Sequence, residues 1–122
     1  MTADPYAFAL HSALTVAAAA DGPAACLLVA DEHAPEQPGA IAQLPVLTNR
    51  WDVARRWQEA GGTAQFSDFD FSAWPPATLT AIGYRISKEK AVVHHIINAA
   101  LERLRPGGVL WLAGHKQEGI RT

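Results

Sequence analysis

The residues best suited to chemistry gather between Tyr84 and Lys90, in the stretch YRISKEK. Arg85, Lys88 and Lys90 stand close to an aromatic, Tyr84. Cationic side chains hold phosphate, and an aromatic ring offers a face on which a base can stack. His115, Lys116 and Arg121 follow a later apolar run. If both runs are neighbouring parallel strands, the two groups share one carboxyl edge. Two readings of this rim stay open. It is either a positive surface that steers RNA without reading its sequence, or a helix start whose charges simply face water.

Other candidates are weaker. Asp31, Glu32 and His33, with Glu36 close by, are the residue types of a metal site. Adjacent loop residues rarely converge on one ion without partners elsewhere, so a solvated acidic loop is the first reading. His94 and His95 are helix neighbours, which point about 100° apart and do not readily chelate together. His95 lies one step off the apolar stripe and suits helix packing. Asp68 and Asp70 could accept from an exocyclic amine, but aspartates after a strand more often bond their own backbone in turns. No serine or cysteine stands in a recognisable nucleophile elbow. Cys26 sits in an apolar run, Ala24 to Ala30, and reads as core.

The elements that must position these residues are legible from spacing. Ala81 to Ile86 is a short apolar strand. Ser87 is suited to cap the following helix, and Glu89 falls in its first turn. Val93, Ile97, Ala100, Leu101 and Leu104 form its stripe, widened by Val92, Ile96 and Ala99. Arg103 and Arg105 suit the negative end of the helix dipole. Pro106 cannot continue the helix, and Gly107-Gly108 makes a turn into a strand over Val109 to Ala113. Strand, helix and strand make a right-handed βαβ unit.

Upstream, Pro5 to Ala20 is Ala-rich and predicts a helix, ended by Asp21-Gly22-Pro23. Ala25 to Ala30 has the continuous apolar pattern of a strand buried on both faces. Pro45 to Thr48 is a short second strand. Trp51 to Ala60 is a helix with Trp51, Ala54 and Trp57 or Gln58 on one side. Thr63 to Asp68 is the third strand, and Ser72 to Thr78 a loop with a double proline. This alternation predicts an α/β fold: an open, mostly parallel, twisted sheet of about five strands with helices on both faces. Ligands of such sheets sit beyond the carboxyl ends of the strands, here after Ala30, Thr48, Asp68 and Ile86.

Composition narrows the classes. The chain has 122 residues, 49% of them apolar, which suits one globular domain. A formal net charge of −2 excludes a globally basic nucleic-acid binder. A single cysteine excludes an internal disulfide framework and suits a reducing cytosol. The first residues, MTADPYAFAL, lack the basic start of a secretory signal, and no apolar run reaches the ~20 residues of a membrane span. The expectation is a cytoplasmic protein without membrane partners. A nucleotide-type cofactor needs a Gly-rich turn after the first strand. Here the first glycine there is Gly39, beyond an acidic, proline-bearing loop, and the second strand ends in Thr48-Asn49-Arg50 rather than in a ribose-binding acid.

Leu104-Arg105-Pro106-Gly107-Gly108-Val109-Leu110 resembles the L-x-P-G-G turn before a late strand of class I S-adenosylmethionine-dependent methyltransferases. Tyr84 to Lys90, Val93 to Asn98 and Gly114 to Thr122 together resemble something narrower. That is the N-terminal domain of bacterial ribosomal RNA small-subunit guanine-N2 methyltransferases and their large-subunit relatives. The family's Pro-Lys becomes Tyr84-Arg85-Ile86-Ser87, while Lys88 and Lys90 keep its basic pair. The likeness spans Ala81 to Thr122 and is only topological before that.

The resemblance implies a Rossmann-like methyltransferase fold lacking its last strands. It makes residues 1–122 a single degenerate domain of a longer two-domain enzyme. In that family the second domain carries S-adenosyl-L-methionine and an N-P-P-[FY] motif. This chain has neither that motif nor a G-x-G-x-G, and Trp74-Pro75-Pro76 precedes the fourth strand. The implied role is non-catalytic, with no cofactor in this domain: support of the catalytic domain, and RNA contact through Tyr84, Arg85, Lys88, Lys90, Lys116 and Arg121. The rivals are a small complete methyltransferase with an atypical cofactor loop, and a scaffold that never touches RNA.

Overall fold

In the computed structural model, which describes residues 5–30, 39–86 and 89–113, strands β1 (Cys26–Ala30), β2 (Val46–Thr48), β3 (Ala64–Phe66), β4 (Leu79–Arg85) and β5 (Leu104–Ala113) form one sheet. Their order is β3-β2-β1-β4-β5, and every neighbouring pair runs parallel. Three helices accompany them: α1 (Pro5–Asp21), α2 (Trp51–Glu59) and α3 (Lys90–Arg103). The chain is therefore α/β with a Rossmann-like arrangement. Among the described residues no helix is long and apolar enough to cross a membrane.

The core lies on both faces of the sheet, because strands covered on both sides bury every residue. All five residues of β1 and all seven of β4 are buried. On one face Leu10 and Leu14 of α1 and Val53 and Trp57 of α2 pack with Leu28 and Val46. On the other, Ile96 and Ala100 of α3 pack with Leu27, Val29, Leu47 and Ile82. Cys26 is buried in the first layer, and burial pushes its thiol above the ordinary value.

Gly83 lets α1 close on β4. A Cβ there would lie 2.5 Å from Leu14 Cδ1 and 3.0 Å from both Leu14 Cγ and Leu10 Cδ1. Leu14 is fully buried and has little room to yield. Gly83→Ala should cost about 1–3 kcal/mol by overpacking, read as a lower urea midpoint at unchanged slope.

Several local expectations shift. Helix α3 begins at Lys90 with Glu89 as its cap, and that cap makes no side-chain hydrogen bond. The expected cap, Ser87, lies outside the described residues. The stripe of α3 is centred on Ile96 and Ala100, with Leu101 exposed, so the buried side is turned from the one the spacing suggested. On α2 the buried side is Val53, Ala54 and Trp57, and Trp51 is exposed. Finally, Arg105 to Gly108 are not a turn before the last strand. Pairing starts at Leu104↔Leu79 and resumes at Val109↔Ala81, so the surplus residues bulge out of β5. Gly107 takes φ 85° there, a conformation that suits a residue without Cβ.

Candidate functional site

The crossing of strand order lies between β1 and β4, since β1 continues to β2 on one side while β4 leads to β5 on the other. The carboxyl ends meeting there are Ala30 and Arg85, with Thr48 beside them. Thr48 is buried. Its hydroxyl accepts from the Arg50 N–H at 3.1 Å, and its carbonyl accepts from the Ser67 N–H at 3.0 Å. The ends of β2 and β3 are thus tied by backbone.

The predicted basic rim is only partly where spacing put it. Tyr84 is buried in the α3-side core, because β4 has a strand on each flank and cover on each face. It cannot present its ring to a base at the rim without leaving that core. Arg85 is also buried, and its Nη1 donates to the Ile86 carbonyl at 2.9 Å. Lys90 is exposed at the start of α3. Lys88, Lys116 and Arg121 lie outside the described residues, as do Asp31, Glu32, His33 and Glu36. Among the described residues no group of three or more His, Cys, Asp or Glu could hold a metal ion.

The segment between β3 and β4 is a strap across the α3 face. Phe69 and Phe71 insert into the core, and Phe71 packs edge-on against Trp74 and His95. His95 Nε2 donates to the Phe69 carbonyl at 2.8 Å, which fixes the hydrogen on that nitrogen. Arg103 Nε donates to the carbonyls of Trp74 at 3.0 Å and Phe71 at 3.4 Å. The backbone closes the strap, with Ala77 N–H on the Glu102 carbonyl and Thr78 N–H on that of Arg103. Phe69 and Ala77 take φ 56° and 59°, left-handed values that tight turning imposes.

Asp70 is a turn residue here. Its Oδ1 accepts from the Ser72 N–H at 2.9 Å, and its own N–H donates to Ser67 Oγ. The backbone and hydroxyl of Ser72 hold its carboxyl below the usual range. His94 and His95 are both exposed, and His95 still reaches the strap through the Phe69 carbonyl and the Phe71 ring.

At the far edge of the sheet, Trp51 at the start of α2 meets Phe66 at the end of β3. Their ring centroids are 5.5 Å apart at 72°. Beside them Asp52 bonds both Arg56 (2.8 Å) and Arg50 (3.2 Å). Desolvation works against the charge of Asp52, but those two arginines outweigh it and hold its carboxyl low. Sequence reasoning grouped Trp51 on one side of α2 with Ala54 and Trp57 or Gln58, but Ala54 and Trp57 are buried and Trp51 is exposed. The signal it passed over is that a helix starting at a strand's carboxyl end projects its first residue beyond the sheet. No protein-family model, curated protein or solved structure matches the chain.

Proposed function

We propose that this chain is a non-catalytic, methyltransferase-like N-terminal domain of a ribosomal RNA guanine-N2 methyltransferase. In this reading it braces the catalytic domain, which binds S-adenosyl-L-methionine, and offers RNA a small basic rim. The observation that carries the reading is the state of β5. Among the described residues it is an edge strand, and it exposes Val109 and Trp111 towards the α1 face and Leu112 towards the α3 face. The uncharged part of this edge strand, Val109 to Ala113, is apolar on both faces and suits burial against further protein, since such edges otherwise aggregate.

The crevice supports the non-catalytic half of the reading. Thr48-Asn49-Arg50 supplies no carboxylate for a ribose at the end of β2, and Arg50 is paired with Asp52. The guanidinium of Arg85 is buried at the crossing point. In this reading the cofactor belongs to the catalytic domain. The rim that remains for RNA is Lys90 with Lys88, Lys116 and Arg121.

Calorimetric titration with S-adenosylmethionine should give no site tighter than roughly 1 mM. A micromolar site would establish the rival, a small methyltransferase with an atypical cofactor loop. Mixed with the catalytic domain, the chain should form a one-to-one complex that Trp111→Glu abolishes. Charge reversal at Lys88 and Lys90 in the two-domain enzyme should weaken RNA binding and flatten its salt dependence. Unchanged affinity and slope would leave only the bracing role.

A further inference from the structure

We propose that Trp51 and Phe66 form a stacking platform for unpaired bases of single-stranded RNA, at the β3 edge of the sheet. The choice of ligand rests on the RNA-enzyme reading above; the existence of the platform does not. Trp51 is 56% exposed and Phe66 52% exposed, although both rings belong to ordered elements and touch each other. The register Thr48↔Phe66 sets Phe66 at the carboxyl end of β3. Trp51 begins α2 three residues beyond Thr48, so both rings lie on the carboxyl edge, where ligands of parallel sheets gather. They stand two strands away from the crossing between β1 and β4.

The surroundings separate this pair from the other exposed tryptophan. Trp111 shares its face of β5 with Val109, another exposed apolar residue rather than a charge, as suits a dry protein interface. The chain neighbours of the Trp51–Phe66 pair are charged or polar and exposed: Arg50, Asp52 and Arg55 beside Trp51, and Gln65 beside Phe66. A large apolar partner would have to desolvate those charges, whereas a base can lie on a ring face and leave its sugar and phosphate in water. Arg55 follows Trp51 by one helical turn, on the same side of α2. Its partner Glu59 is held only at 3.5 Å in an exposed pair, so the guanidinium is available to a phosphate at little cost.

Within α2 Arg55 and Arg56 balance Asp52 and Glu59, and Arg50 at its cap adds one positive charge, in a chain whose formal net charge is −2. Asp68, exposed two residues beyond Phe66, offsets that surplus. Stacking rather than charge therefore has to supply the affinity, and the salt dependence at this site should be shallow.

The test is fluorescence anisotropy of a labelled oligouridylate of roughly ten nucleotides, titrated with the chain. Trp51→Ala and Phe66→Ala should each weaken binding by about 5- to 100-fold without changing the salt slope. Trp51→Phe should stay within about threefold of the parent, because it keeps a ring face. Trp111→Ala should leave binding unchanged, and an abasic strand of equal charge should bind as poorly as Trp51→Ala binds the intact one. Circular dichroism should show all variants folded, since both rings are more than half exposed. The proposal falls if the parent chain does not bind the oligonucleotide, if the abasic strand binds equally well, or if both alanine variants bind like the parent. Any of these results can coexist with a failed S-adenosylmethionine titration and an intact Trp111-dependent complex, so the platform can fail while the domain reading stands.

Discussion

Trp57→Ala is expected to remove about 4 kcal/mol or more of folding stability, enough to leave a domain of this size near its unfolding limit. Trp57 is fully buried under the sheet face shared by α1 and α2. Its Nε1 donates to the Leu44 carbonyl at 3.0 Å, which anchors the segment leading into β2. Its own carbonyl accepts from the Gly62 N–H at 2.8 Å, where the chain turns towards β3. Truncation leaves a cavity the size of an indole and an unpaired buried carbonyl. Trp57→Phe restores most of the volume but not the donor, and should cost only about 1–2 kcal/mol. Urea denaturation of the two variants separates packing from hydrogen bonding. Equal losses would mean that the bond to Leu44, not the volume, dominates.

The second large effect is expected at Arg103. Arg103→Ala should cost about 2–3 kcal/mol, because one charged side chain serves two strap carbonyls and is itself mostly buried. His95→Ala should cost about 1 kcal/mol through the lost bond to Phe69. The two variants act on one segment, so the double variant should lose less than the sum of the singles. Amide exchange should localise both effects to residues 67–78. Strict additivity, or exchange spread over the whole sheet, would show that the strap is not a unit. The strap begins immediately after Phe66, so loosening it should also disturb the aromatic pair with Trp51.

Much of the architecture was legible because its signals are local. The apolar runs at β1 and β4, the proline and glycines around them, and the alternation of strand with helix state a parallel sheet without reference to distant residues. The candidate rim was legible only as a composition. Spacing sees that Tyr84 and Arg85 stand beside Lys88 and Lys90, but not that β4 is flanked by β1 and β5.

By itself, then, the chain's pattern of apolar and breaking residues determined the class of fold and the order of its elements. Only the tertiary structure decided which side of α3 is buried, because an apolar stripe spread over Val92 to Leu104 leaves its rotation to the partner strands. It also decided that Pro106 to Gly108 bulge within β5, since a bulge depends on the register of the strand opposite. Finally it put Tyr84 inside and Trp51 and Phe66 outside. Aromatic rings are equally compatible with core and surface until neighbouring layers either cover them or stop short, and here the sheet ends at β3.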